Sequence, residues 1–308
     1  MSLVRIATRG SELALAQARA MAARVERALG VQSELVIVQT SGDRLQERPL
    51  QALGGKGLFV KEIEEAVLAR RADLAVHSAK DLPAAIPPGL ALVAWPERCD
   101  PSDALVCRRP GGRLDTLPRG ARVGTGSVRR AAQLRALRPD LVVVPLRGNV
   151  PTRLRKLDEL ALDAVVLASA GLLRLGLAAR IDERLDPARF LPALAQGILA
   201  LEARGDDPLA RDLAALDDPE AACAAAAERA FLRRLEGYCA VPLAGLATRM
   251  GGTVRMRGLV ASLDGGRVAR GMGEAAAPAE AGVAAAEAVL RDGGAAILAE
   301  LRAAEALE

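Results

Sequence analysis

Residues 73–81 read Asp-Leu-Ala-Val-His-Ser-Ala-Lys-Asp, DLAVHSAKD. Leu74, Ala75 and Val76 make a short apolar run with polar residues on both sides and Pro83 just beyond. Such a run predicts a buried strand of an α/β sheet, with His77 to Asp81 leaving its C-terminal end. In open α/β sheets ligands bind outside the carboxyl ends of the strands. Asp81 is therefore a candidate functional carboxylate, and the other loops that reach the same edge decide what it can do.

Upstream, Leu3 to Thr8 predicts a strand, and Arg9-Gly10 turns into a helix from about Glu12 to Leu29. Ser11 is placed to cap that helix and Gly30 to stop it. Glu34 to Gln39 predicts a second strand. A polar loop containing Gly54-Gly55-Lys56-Gly57 then leads to a helix from about Phe59 to Arg70. The β-α-β-α-β order is that of a mainly parallel sheet.

Downstream, prolines at 87, 88 and 96 bound a return strand, Leu90 to Trp95, and the pattern restarts after a hinge at Asp100-Pro101-Ser102. The second unit repeats the design. Its strands fall near Arg122–Gly124, Leu141–Pro145 and Asp163–Ala168, with helices at Val128–Leu137, after Pro151, and around Arg174. Leu191 to Glu202 is expected to re-enter the first unit. From Asp218-Pro219 the chain changes to an Ala-rich helix ending near Leu235. Three strands follow (Leu243–Thr248, Thr253–Val260, Arg267–Met272), then helix from Pro278, broken at Gly293-Gly294. The expected fold is thus α/β, two doubly wound domains (1–98 with 194–216, and 102–191) plus a smaller α+β domain over 218–308.

Composition narrows the function. Aromatics are 2% of the 308 residues, so the cores must be aliphatic, and base-stacking platforms for nucleic acid are scarce. A net charge of +4 does not argue for nucleic acid either. No apolar run approaches the ~20 residues of a membrane span, and Arg5 and Arg9 interrupt the early apolar stretch that a signal peptide would need. The four cysteines have neither CxxC spacing nor disulfide density, which points to a reducing, cytoplasmic setting. His77 is the only histidine, so neither a His-based metal cluster nor a Ser-His-Asp triad can be built.

Three loops share one pattern, a strand end, a small residue and a hydroxyl at a helix start: Arg9-Gly10-Ser11, Thr125-Gly126-Ser127 and Ser169-Ala170-Gly171. Helix N-termini attract anions. Arg129 and Arg130 in the first turn after Ser127 are unfavourable there unless an anion lies against them, which predicts a bound carboxylate or phosphate. Arg147-Gly148-Asn149 and Arg153 repeat the basic theme, and a planar guanidinium suits a carboxylate. Lys56 in GGKGLF lacks the first-glycine spacing and the Ser or Thr of a phosphate loop, so nucleotide hydrolysis is set aside. Cys99, Cys107 and Cys223 read as packing residues. Cys239, in a Gly-containing loop before Val241-Pro242, reads as the reactive thiol.

The blocks RIATRGSELAL, GGKGLFVKEIE, HSAKDLP, ERCDPSDAL, GTGSVRRAAQL, LRGNVPTRLRKLD, AGLLRLG and LEGYCAVP resemble the motifs of the porphobilinogen deaminase (hydroxymethylbilane synthase) family, in the same order along essentially the whole chain. The resemblance implies two periplasmic-binding-protein-like domains and a third. It also implies one dipyrromethane cofactor held by a thioether to Cys239, and a transferase that joins four porphobilinogens head to tail with loss of ammonia. Water finally releases hydroxymethylbilane for tetrapyrrole synthesis. By the same resemblance Asp81 is the catalytic acid, helping the amine to leave and stabilising the azafulvene cation. Lys80, Asp81, Thr125, Ser127, Arg129, Arg130 and Gln196 would hold the cofactor. Arg9, Ser11, Gln17, Lys56, Arg147, Gly148, Asn149, Arg153 and Arg174 would hold substrate carboxylates. A monomer without metal, nucleic acid or membrane is implied. Tyr238 and Gly126 stand where the family usually has Gly and Ser, and Ala195-Gln196-Gly197 varies a usual Gly-Gln-Gly. The rival reading is a non-catalytic two-lobed protein that binds small anions; it would need neither the thiol nor the third domain.

Overall fold

Strand β1 (Leu3–Arg9) buries Val4, Ile6 and Ala7, and the chain then turns through Gly10 into α1 (Glu12–Leu29). The Ser11 hydroxyl accepts from the Ala14 amide, and Gly30 closes the helix in the left-handed conformation, as the sequence predicts. β2 (Gln32–Val38) pairs parallel to β1, and α2 (Lys61–Leu68) leads to β3 (Leu74–Ser78), also parallel to β1. A short 3-10 turn, Ala79–Asp81, follows β3, and β4 (Leu90–Ala94) ends the first pass. The structure, a computed structural model, describes residues 3–41, 60–236 and 241–305, so Lys56 and Cys239 lie outside the described residues.

The chain then crosses to a second sheet made of β5 (Asp103–Cys107), β6 (Arg122–Thr125), β7 (Val142–Pro145), β8 (Ala164–Ala168) and β9 (Glu183–Leu185). Helices α3 (Val128–Leu137), α4 (Val150–Glu159) and α5 (Ser169–Arg174) connect them. It crosses back to add β10 (Leu199–Arg204) between β3 and β4, antiparallel to both. The two sheets run β2-β1-β3-β10-β4 and β7-β6-β8-β5-β9. Each has three parallel strands followed by an antiparallel one that enters from a lobe crossing, and an edge strand. That shared order carries the two-lobed architecture.

After α6 (Pro208–Leu213) the third unit begins with α7 (Pro219–Arg234), capped by Asp218 with Pro219 in its first turn. β11 (Leu243–Met250), β12 (Thr253–Ala261) and β13 (Val268–Ala275) form an antiparallel meander. Helices α8 (Pro278–Val289) and α9 (Ala295–Glu305) close it, with the break at Leu290–Gly294 where Gly293 has φ +99°. The cores are aliphatic: among the described residues Phe190 and Phe231 are the only fully buried aromatic side chains. Among the same residues no helix is long and apolar enough to cross a membrane.

The third unit is tied to the crossing segments by one carboxylate. Glu228 of α7 is fully buried and receives Arg98 through two hydrogen bonds, 2.6 and 3.3 Å. It also accepts from the backbone amides of Ala195 and Ala247. Arg98 in turn donates to the Gln196 carbonyl at 2.9 Å. A buried acid is tolerable only with its lone pairs used in this way.

Candidate active site

The C-terminal ends of β1, β3, β7 and β8 face one cleft of about 760 Å³ between the two lobes. The first lobe contributes Arg9, Ser11, Gln17, Lys80 and Asp81; the second contributes Arg130, Arg147, Gly148, Asn149, Arg153 and Arg174. Gln196 and Gly197 lie on the returning crossing. Leu13, Ile37, Val150 and Leu167 add apolar wall. Among the described lining residues Asp81 is the one acid, against five arginines and a lysine. The arrangement suits small molecules that bear carboxylates.

Why each side chain points there follows from local structure. Ser78 ends β3 and exchanges hydrogen bonds with Gln17 of α1, 3.1 and 3.3 Å, so the strand end is pinned to the helix. The 3-10 turn then throws Lys80 and Asp81 over the sheet edge. On the other lobe Asn149 caps α4 through its contact with the Thr152 amide at 2.9 Å. Gly148 sits at φ +119°, and a Cβ there would lie 2.5 Å from Thr152 Cγ2. Only glycine lets the chain bend at that point and keep Arg147, Asn149 and Arg153 on one rim.

Burial in this cleft weakens the preference of Lys80, Arg130, Arg147, Arg153 and Arg174 for their charge. It pushes Arg153 down to about 10, helped by Arg130 and Arg147, with Asp81 opposing. Burial likewise lowers Arg130, Arg147 and Arg174. Lys80 falls to about 8, chiefly by burial, with Asp81 resisting and Arg130 contributing. The Arg153 Nε is buried with no hydrogen-bond partner. Among the described residues the buried, unpartnered Arg153 Nε and the desolvated Arg174 are groups that a carboxylate ligand would satisfy.

An anion does lie against Arg129 and Arg130: the carboxylate of Asp103 of this chain. Its carboxylate accepts from Arg129 at 2.7 and 3.2 Å and from Arg130 at 2.9 and 2.7 Å. Burial alone would raise Asp103's pKa; the two guanidiniums outweigh it and hold the acid well below the usual carboxylate range. Arg130 lines the cleft, whereas Arg129, Thr125 and Ser127 are not among the residues that line it. The Thr125 hydroxyl accepts from the Ser127 amide, and Ser127 caps α3 by accepting from the Arg130 amide.

Two further expectations differ. The third loop does not share the capping pattern: Ser169 lies inside α5, fully buried, with its hydroxyl 2.7 Å from that of Ser102. Cys99 is not a core residue but half-buried on the first crossing, its amide bonded to the Gly197 carbonyl. Asp103 itself was missed. Apart from its place in the ERCDPSDAL block, its sequence signal is an acid at the mouth of an apolar strand, which reads as an ordinary loop residue.

The frame and the cleft define a class: a two-lobed α/β protein with an arginine-lined cleft between its lobes, extended by a third unit. A family model described as "Porphobilinogen deaminase, dipyromethane cofactor binding domain" matches residues 4–212, and one described as "Porphobilinogen deaminase, C-terminal domain" matches residues 222–291. The chain is 54% identical over 298 residues to the porphobilinogen deaminase of Roseiflexus castenholzii, covering 96% of this chain and 98% of the relative. It is 52% identical over 309 residues to that of Nitratidesulfovibrio vulgaris strain Hildenborough, covering 98% of both. The solved VFT2 domain of Bordetella pertussis BvgS, a double mutant, has a slighter likeness, TM-score 0.41 at 19% identity, over 69% of this chain and 85% of that one. The chain belongs to the porphobilinogen deaminase family.

Proposed function

We propose that this chain is a transferase that condenses four porphobilinogens head to tail on a dipyrromethane primer, releases one ammonia per condensation, and frees hydroxymethylbilane by hydrolysis. The observation that carries the reading is the single described acid, Asp81, set among arginines in the interlobe cleft. Each pyrrole bears an acetate and a propionate, and the primer offers the free pyrrole carbon to which an incoming unit is joined.

Arg9, Arg130, Arg147, Arg153 and Arg174 would bind the carboxylates of primer and substrate, with Lys80, Ser11, Gln17, Asn149 and the open backbone at Gly148 assisting. Arg129, Thr125 and Ser127 would act indirectly, by fixing Arg130 and the start of α3. Asp81 would give its proton to the substrate's neutral amine, pair as a carboxylate with the ammonium so formed until that leaves as ammonia, and stabilise the positive charge left on the pyrrole methylene. A carboxylate held where cationic charge develops suits all three tasks. Gln196 would line the primer's end of the cleft. Lys56, and Cys239 as the point of thioether attachment, complete the proposal from outside the described residues. The setting proposed is cytoplasmic, as a monomer without metal; four cysteines without CxxC spacing support the reducing compartment.

The test is to supply purified protein with porphobilinogen and follow ammonia and intact mass together. The expected result is one ammonia per substrate consumed, and a protein mass above the sequence mass by two pyrrole units that is absent from Cys239→Ser. Saturable porphobilinogen binding with neither excess mass nor ammonia would favour the binding-protein reading instead.

A further inference from the structure

We propose that Asp103 is a positioning residue of this reaction: held between Arg129 and Arg130 in one lobe, it reaches through the Gln196 amide to orient and keep charged the Lys80 ammonium beside Asp81 in the other. The inference rests on the transferase reading above.

Six contacts define the relay. Asp103 is fully buried at the start of β5 and holds both guanidiniums. Gln196 Nε2 donates to Asp103 Oδ1 at 3.1 Å and to the carbonyls of Pro101 and Ser102 at 2.8 and 3.2 Å. Three oxygens around one nitrogen fix the amide, because a flipped Gln196 would set oxygen against oxygen. The amide oxygen is left facing Lys80 Nζ, 3.4 Å away. Pro101 and Ser102 lie on the outgoing crossing and Gln196 on the returning one, so the relay binds both crossings to both lobes.

The local charge balance gives Asp103 its effect on Lys80. The groups facing Lys80 are Asp81 on its own turn, Arg129 and Arg130 from α3, and Asp103 from β5. Asp81 and Asp103 favour the ammonium; burial and the two arginines oppose it. Asp103 and the two arginines sum to one positive charge. Without Asp103 that becomes two, and Lys80, already lowered to about 8, would lose its proton within the working pH range. A neutral Lys80 could no longer hold a pyrrole carboxylate next to Asp81.

The experiment reads Lys80 directly and needs no turnover. Competitive acetylation across a pH series, with the Lys80 peptide quantified by mass spectrometry against the Lys61 peptide, gives the titration midpoint in the protein as purified. Asp103→Asn is expected to lower the midpoint by about one pH unit, and Arg129→Gln to raise it by a similar amount. The double variant Asp103→Asn with Arg129→Gln conserves the local charge and is expected to return near wild type. An unchanged midpoint in Asp103→Asn, or a double variant that stays low, overturns the relay. If Asp103→Asn does not fold, Arg129→Gln decides alone, since a midpoint that fails to rise is equally fatal. The alkaline limb of ammonia release should move with the midpoint in each active variant. A limb that stays put while the midpoint moves refutes the role in the reaction. Absence of ammonia release in wild type would instead sink the transferase reading and leave the labelling result interpretable.

Discussion

Asp81 leaves the sheet edge on a 3-10 turn directly after the buried β3, and its neighbours on the cleft wall are cations and amides. Asp81→Asn keeps size and most contacts but removes the charge and the transferable proton. Loss of a positioned acid–base group typically costs about 100- to 10,000-fold in rate. The variant is therefore expected to fold and bind porphobilinogen, yet to release ammonia slower by that range in a single turnover. Release at the wild-type rate would place the acid elsewhere. The two neighbouring arginines should separate as well, because Arg130 lines the cleft and Arg129 does not. Arg130→Lys is expected to lose most activity, since an ammonium cannot serve Asp103, the Val166 carbonyl and a ligand with one fork. Arg129→Lys should retain more turnover and lose thermal stability instead. Equal kinetic losses from both would contradict the division.

The elements were largely legible because each carries its own local signal. Ser11, Ser127, Asn149 and Asp218 cap helices where the sequence puts a short polar residue before an apolar periodic run. Leu74–Val76 and Val165–Leu167 are continuous apolar runs because both faces of their strands are covered. What was not legible depends on partners far away in sequence. The Asp103 pairing spans 26 and 27 positions, and the Ser102–Ser169 contact spans 67. No periodicity encodes such contacts. A prediction at this scale concerns the turn into α4. Gly148→Ala would hold a side chain at φ +119° and press its Cβ onto Thr152. Strain of about 1–3 kcal/mol is expected, displacing the Asn149 cap and the Arg147 and Arg153 side chains. Melting temperature and activity should both fall. Adding Thr152→Ser removes the crowding methyl and should recover part of the stability, leaving the backbone strain; no recovery would mean that the contact is not the cause.

Stability of the whole molecule should depend on how the first lobe meets the third unit, and there the sole histidine finds its place. His77 lies with its Nε2 3.0 Å from Glu202 of β10, and both side chains are buried. Glu64 of α2 is buried beside them, and Arg229 of α7 acts on Glu202 from the third unit while lying over Trp95, 5.9 Å from its ring centre. One carboxylate oxygen each of Glu64 and Glu202 is buried without a partner. Burial, then the charge of Glu202, pushes Glu64 up to about 7, with His77 opposing and Glu65 adding to the rise. The folded pKa lies above the unfolded one, so folding favours the protonated acid. Nothing is lost below about pH 4.5, and stability falls as pH rises through 7. Each tenfold change in proton affinity between the folded and unfolded chain corresponds to about 1.4 kcal/mol. Discounted for partial screening by solvent, the penalty above pH 8 should be about 1–2 kcal/mol. Glu64→Gln keeps the shape and cannot ionise, so it should melt higher than wild type at pH 8, by about 2–4 °C per kcal/mol recovered. That advantage should shrink steadily from pH 7 toward pH 5, and it disappears only as the unfolded carboxyl also protonates, below about pH 4.5. Thermal melts at pH 5, 6, 7 and 8 decide the matter: a gain that is the same at every pH would trace to packing rather than to the proton.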